Sequence, residues 1–284
     1  MEKVTIPSLV EKKKRGEKIT ALTAYDLPLA RLLDQSEVDM VLVGDSLGMV
    51  GLGYPSTVPV TMREMLHHAK AVRRGVSRAL LVGDMPFMSF NVSKEATVRN
   101  AGRFLKEAGC DAVKLEGPLG HAESMAAVKA IREAGIPVLG HLGLTPQTAV
   151  SVGGFKVQAK TAEEAEKLLE AALELEALGC FGVVLECVPT QVAQRVSREL
   201  RIPTIGIGAG PHCDGQILVT HDLLGLTGSF HPPKFIRTFA RLDQTILKAL
   251  RDFKEAVQGG SFPSQEESYS MPEEEQKQFH KKGV

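Results

Sequence analysis

A chain of 284 residues, 43% apolar and 24% charged, can bury one large core or two smaller ones, and its 34 basic residues balance its 34 acidic ones to a formal charge of zero. That balance leaves no electrostatic footprint for nucleic acid or an anionic membrane surface, so the expected partners are small molecules. The N-terminus has no apolar signal-like region and no later apolar run approaches the ~20 residues of a membrane span, which points to a cytoplasmic protein.

In chain order, residues 6–16 read as a short basic helix, and residues 1–18 are expected to cover the floor of the main domain. From residue 19, short β-branched runs alternate with longer amphipathic stretches, the signature of repeated βα units. Strands are predicted at 19–25, 40–45, 79–84, 112–116, 138–142, 182–187, 204–208 and 216–219. Between them the clearest helix is 161–178, where Ala165, Leu168, Leu169, Ala172, Leu173 and Leu175 recur at near-helical spacing and Thr161 with Glu164 forms a capping box.

Runs such as MVLVGD and GVVLEC are apolar on both faces, as parallel strands covered by helices should be. The count of eight strands, the even composition along the chain and the lack of a nucleotide fingerprint after the first strand favour a closed barrel over an open sheet. The fold class is therefore α/β, a single-domain (β/α)8 TIM barrel over residues 19–258. The glycine-rich stretch from Gly206 to Gly210 follows the seventh strand and reads as a tight turn. Residues 259–284 are polar and poor in apolar side chains, and read as a mobile tail without chemistry. Cys110, Cys180, Cys187 and Cys213 show no CxxC pairing and read as small core or loop residues.

The informative pattern is where the acids fall. Residues 40–45 and 79–84 are near copies, each an apolar strand ending in Gly-Asp, and the strands ending at Glu116 and Glu186 deliver two more carboxylates. In a parallel barrel these strand ends meet on the face where active sites are built. Lys114 lies two residues before Glu116 and so on the same side of its strand. A single Asp after a strand is often only a helix N-cap, but four acids on four strands are poorly explained that way. Gathered in one confined site, each pair would repel by about 4 kcal/mol at ~4 Å and an effective dielectric near ~20.

A hard cation would offset that repulsion. Mg²⁺ takes one or two carboxylates and leaves positions for substrate and water, so Asp45 and Asp84 are the expected direct ligands, with Glu116 bound directly or through water. His121, His141, His212, His221 and His231 lack the spacing of a histidine metal site, and His67 with His68 falls in a predicted helix. His141, ending the fifth strand, is placed as a pocket-lining residue.

Around these positions the sequence reads TAYD, VLVGDSLGM, STVPVT, GDMPF, VKLEG, GHLGLTPQ, LECVP, IGIGAG and DGQILV. In order and spacing, from about Thr20 to Phe235, these stretches resemble the ketopantoate hydroxymethyltransferase family, within the phosphoenolpyruvate mutase/isocitrate lyase-like superfamily of barrels. The resemblance implies hydroxymethyl transfer from 5,10-methylenetetrahydrofolate to the α-keto acid 3-methyl-2-oxobutanoate, on the route to pantothenate. It implies Mg²⁺ at Asp45, Asp84 and Glu116, keto-acid contacts from Asp45, Ser46, Asp84 and Lys114, and Glu186 as proton acceptor. It also implies a homo-oligomer, a decamer of stacked rings. Two other readings remain open from sequence: a related Mg²⁺-dependent α-oxo-acid lyase or mutase, and a catalytically silent binding barrel.

Overall fold

The structure, a computed structural model, describes residues 2–117, 122–227 and 233–281. His121 and His231 lie outside the described residues. The elements run α1 (Ile6–Arg15), β1 (Ile19–Thr23), α2 (Leu27–Gln35), β2 (Met40–Val43), α3 (Leu47–Val50), α4 (Met62–Arg73), β3 (Leu80–Asp84), α5 (Lys94–Ala108), β4 (Ala112–Glu116) and α6 (Ala122–Glu133). They continue with β5 (Val138–Gly143), a 3-10 turn (Pro146–Val152), α7 (Ala162–Ala177), β6 (Gly182–Glu186), α8 (Thr190–Glu199), β7 (Thr204–Ile207), β8 (Gly215–Leu218), α9 (Thr220–Leu223), α10 (Leu242–Gln258) and α11 (Glu273–Lys281).

The eight strands are parallel to their neighbours and close into a barrel in sequence order, β8 pairing with β1 through Ile19 opposite Gly215 and Ala21 opposite Ile217. Closure removes both sheet edges, which a parallel sheet of eight strands would otherwise expose. All eight predicted strands are present, β4 with the predicted bounds and the others with ends moved by one or two residues.

Strand alternation divides the core in two. Ile19, Met40, Leu42, Leu80, Val82, Leu139, Val184, Ile205 and Ile217 fill the barrel interior, joined by Val4 and Leu9 from the N-terminal segment. Val41, Val43, Leu81, Val113, Val183 and Leu185 face outward into a larger cluster with helix residues such as Met65, Phe104 and Leu175. Strands buried on both faces therefore read as continuous apolar runs. Close sheet-to-helix contact leaves no room for a side chain at Gly83, where a Cβ would sit 2.3 Å from the Phe104 ring.

Helix ends follow the local signals. Thr161 accepts from the Glu164 N–H while the Glu164 carboxylate accepts in return, which starts α7 as the sequence predicts. Below the strands, Lys12 and Lys13 of α1 pair with Asp39 and Asp214, acids that also accept N–H bonds from Thr20 and Thr204. Within the polar C-terminal segment α11 forms, its first turn carrying Glu273, Glu274 and Glu275, which suit the positive end of a helix dipole. Neither α10 nor the described residues of α11 bury a side chain.

Candidate active site

The C-terminal ends of the strands enclose a cavity of about 480 Å³ that every predicted site residue lines. Asp45 follows β2, Asp84 ends β3, Lys114 and Glu116 belong to β4, His141 to β5, and Glu186 ends β6. Register accounts for the convergence: Asp84 is opposite Lys114, Glu116 opposite His141, and Gly143 opposite Glu186. Adjacent strand ends thus supply alternating acid, base and imidazole to one point.

Two acids meet directly. The Asp45 backbone N–H donates to Asp84 Oδ2 at 3.1 Å, and Lys114 Nζ donates to Asp84 Oδ1 at 2.6 Å while standing 3.8 Å from Glu116 Oε1. All four side chains are buried. Burial pushes the Asp45 carboxyl up to about 7, reinforced by the charge of Asp84 and only partly offset by Lys114. Burial likewise holds Glu116 well above the carboxylate range, with Lys114 opposing it and the repulsion of Asp45 and Asp84 adding to it. For Lys114 burial favours the neutral amine, but Asp84, Glu116 and Asp45 outweigh it and keep the ammonium protonated.

His141 lies between two acids, Nε2 3.2 Å from Glu186 Oε2 and Nδ1 3.7 Å from Glu116 Oε1, without hydrogen-bond alignment to either. Burial, then Lys114, lowers its proton affinity, so the ring is neutral. Glu186 stands apart from the other strand-end acids: its side chain is 15% exposed against 2% for Glu116, so it is the most open of the four to the cavity. Its placement is held by backbone. Leu144 N–H donates to the Glu186 carbonyl, and Cys187 turns the chain at φ +48°, an unfavourable region for a residue with a Cβ.

Ser46 also lines the cavity, its Oγ 2.8 Å from the Tyr25 hydroxyl, and burial raises the affinity of that phenol for its proton. Two participants carry no individual signal in the sequence. Tyr25 stands within TAYD, and Gln147 ends GHLGLTPQ. Gln147 is buried in the turn after β5, donates from Nε2 to Asp45 Oδ2 and to the Met85 carbonyl, both at 2.9 Å, and donates its backbone N–H to Glu116 Oε2 at 3.0 Å. Only its position just past a strand end could have singled it out.

Cys110, Cys180 and Cys213 are buried free thiols, as expected, and Cys187 is half-buried beside the site. Among the described residues no group of three or more His, Cys, Asp or Glu side chains is arranged to enclose a metal ion. Mg²⁺ does not require such a cage.

A closed parallel barrel with buried acids, a lysine and an imidazole gathered at its strand ends defines a (β/α)8-barrel enzyme. Phosphoenolpyruvate phosphomutase from Streptomyces platensis subsp. rosaceus superposes with a TM-score of 0.60 over 90% of this chain and 88% of its own, at 14% identity. A phosphonopyruvate hydrolase solved with oxalate and Mg²⁺ gives 0.59 over 93% and 92%, at 12% identity. Those identities establish the fold alone. At sequence level, residues 3–265 match the family model described as ketopantoate hydroxymethyltransferase. The 3-methyl-2-oxobutanoate hydroxymethyltransferase of Syntrophomonas wolfei subsp. wolfei is 54% identical over 274 residues, 96% of this chain and 98% of the relative. That of Moorella thermoacetica is 55% identical over 267 residues, 94% and 98% respectively. The chain belongs to the ketopantoate hydroxymethyltransferase family. A transferase family at this identity and coverage sets aside both the lyase and the silent-barrel readings.

Proposed function

We propose that this chain uses 5,10-methylenetetrahydrofolate and water to add a hydroxymethyl group to 3-methyl-2-oxobutanoate, giving 2-dehydropantoate and tetrahydrofolate in pantothenate and coenzyme A biosynthesis. The relatives' names support the reaction. The observation that carries the mechanism is the division of the strand-end acids into a buried group around Lys114 and one partly exposed carboxylate, Glu186.

The buried group fits a hard cation. Asp45 and Asp84 lie side by side, Asp45 has its proton affinity raised by burial and by that crowding, and Glu116 Oε1 is buried without a hydrogen-bond partner. Asp45 and Asp84 would hold Mg²⁺, with Glu116 beside them. The bound ion would supply Lewis-acid stabilisation of the negative charge that develops on the keto acid's oxygens.

Lys114, kept protonated and fixed by Asp84, presents a positive charge to the same oxygens, and the Ser46 hydroxyl, oriented by Tyr25, offers a hydrogen bond to the substrate. Glu186 Oε2 accepts the proton from C3 of the keto acid, and neutral His141 at 3.2 Å leaves that oxygen free of a competing cation. The substrate carbon then forms the new carbon–carbon bond to the folate's one-carbon unit, whose bonds to the folate nitrogens break while water supplies the hydroxyl oxygen, so no protein nucleophile is needed. The folate would lie against the apolar lining of the cavity, which includes Phe155, Phe235 and Ile236.

The same reading takes the protein as a cytoplasmic homodecamer whose catalytic unit is the barrel, with α1 under its floor. Among the described residues no helix is long and apolar enough to cross a membrane. Ile246, Leu247, Leu250 and Phe253 of α10 are exposed, as an interface between copies would require.

The test is C3 proton exchange of 3-methyl-2-oxobutanoate in D₂O, followed by NMR with and without Mg²⁺, and then with 5,10-methylenetetrahydrofolate added. Exchange should need Mg²⁺, Glu186→Gln should abolish it, and the folate should convert the keto acid to 2-dehydropantoate. Exchange at the wild-type rate in Glu186→Gln would remove Glu186 as the base. No exchange in the wild type would overturn the mechanism, and exchange without folate-dependent product would overturn the reaction.

A further inference from the structure

Gln147 hydrogen-bonds neither to the partly exposed carboxylate of Glu186 nor to Lys114 or Ser46, yet among the described residues it is the one that joins Asp45 to Glu116. Its Nε2 bridges Asp45 Oδ2 and the Met85 carbonyl, and its own backbone N–H donates to Glu116 Oε2. Asp45 follows β2 and Glu116 ends β4, so the pair is tied together from a third place in the barrel, the turn after β5.

The orientation of the amide is fixed by chemistry. Asp45 Oδ2 and the Met85 carbonyl are both acceptors, so only the NH₂ end can face them. The turn begins at Pro146, which leaves the N–H of residue 147 without a partner inside the turn and free to be donated sideways to Glu116. Gln147 Oε1 is buried with no partner, so a side chain with a costly unsatisfied acceptor is retained for its two donors.

We propose that Gln147 is a positioning residue for the metal site, one that holds a single oxygen of Asp45 and of Glu116 and so sets the direction in which each carboxylate faces the cavity. This rests on the Mg²⁺ reading above. Carboxylate ligands are ordinarily aimed by such outer hydrogen bonds, and their loss typically costs about 10- to 100-fold in metal affinity. In Gln147→Met the side chain keeps about the same length and volume but loses its bonds to Asp45 and to the Met85 carbonyl, while the backbone bond to Glu116 survives, so of the two carboxylate tethers only that to Asp45 is removed.

The measurement is Mg²⁺ binding by titration calorimetry on the full-length, metal-stripped protein, together with steady-state turnover as a function of Mg²⁺. Gln147→Met should bind Mg²⁺ about 10- to 100-fold more weakly than wild type and raise the half-saturating Mg²⁺ concentration equally, with turnover at saturating Mg²⁺ reduced far less. A purely structural role would instead lower the folded, active fraction and leave the affinity of that fraction unchanged. Mg²⁺ affinity within about threefold of wild type in the folded variant, well short of the loss expected for an outer hydrogen bond, would overturn the proposal. Should Gln147→Met fail to fold, Gln147→Asn keeps the position polar but stops one methylene short of Asp45, and the same affinity loss is required of it. Absence of saturable Mg²⁺ binding by the wild type would overturn the metal reading, and this proposal with it.

Discussion

Asp45→Asn should change how the stability of the metal-free protein depends on pH. In the folded chain the carboxyl is raised from an ordinary value of 3.8 to about 7 by burial and by Asp84, so between those values the native state holds a proton that the unfolded chain has released. A group whose folded value is raised contributes stability that is complete below its unfolded value and is lost as pH rises through the folded one. At about 1.4 kcal/mol for each tenfold change in proton affinity, the loss from about pH 4 to about pH 8 is roughly 4 kcal/mol. Asn keeps the shape and can still accept from Gln147 Nε2, but carries no charge at any pH. Urea unfolding in EDTA at about pH 4, 5, 6, 7 and 8 should therefore show wild type losing roughly 4 kcal/mol relative to Asp45→Asn across that range. Saturating Mg²⁺ should restore the wild type most at the alkaline end and least at the acid end. Parallel pH profiles for the two proteins would refute the idea that Asp45 is a strained buried acid.

Two further substitutions probe the same framework. Lys114→Met leaves Asp84 and Glu116 buried without their ammonium, which should cost about 3–5 kcal/mol in metal-free protein near pH ~8 and less at lower pH, because burial holds Glu116 well above the carboxylate range and favours its neutral form. Its turnover should fall by about two to three decades, and wild-type urea stability at the higher pH would contradict the role assigned to the ion pair. Gly143→Ala forces a Cβ to 2.2 Å from the Glu186 carbonyl oxygen at φ +97°, so strain beyond about 1–3 kcal/mol should appear as displacement of Glu186. Keto-acid exchange per folded molecule should then drop well below that of Gly83→Ala, whose clash is with the Phe104 ring on the helix side of the sheet. Equal exchange rates in the two variants would show that the β5–β6 contact does not position the base.

The strands are legible because each is buried on both faces and so is apolar throughout its length, and because helical segments with their own caps separate them. The α7 capping box is local chemistry and appears where the sequence places it. The acids at the strand ends are legible for a different reason: a charge that interrupts an apolar run at its C-terminal end has one place to go in a closed parallel barrel. Helix α11 is not, because its residues make no apolar stripe against the barrel and form a helix on local charge placement alone.

Gln147 marks the limit of local sequence information. Nothing within GHLGLTPQ distinguishes its glutamine from a surface residue, because both carboxylates it serves come from strands far away in the chain, Asp45 being 102 positions distant. His141 is a second case. Its neutrality depends on burial and on Lys114, neither of which its own neighbours in sequence encode.

By itself the sequence determined the barrel and the rim, because burial on both faces and alternation along a strand are properties of short stretches of chain. It also settled the family, through motifs that hold order and spacing over most of the chain. Only the tertiary structure decided the state of each acid. Proton affinity depends on how much water is excluded and on which charges lie within a few ångströms, and those distances are set by strand register across the barrel, which no single stretch contains.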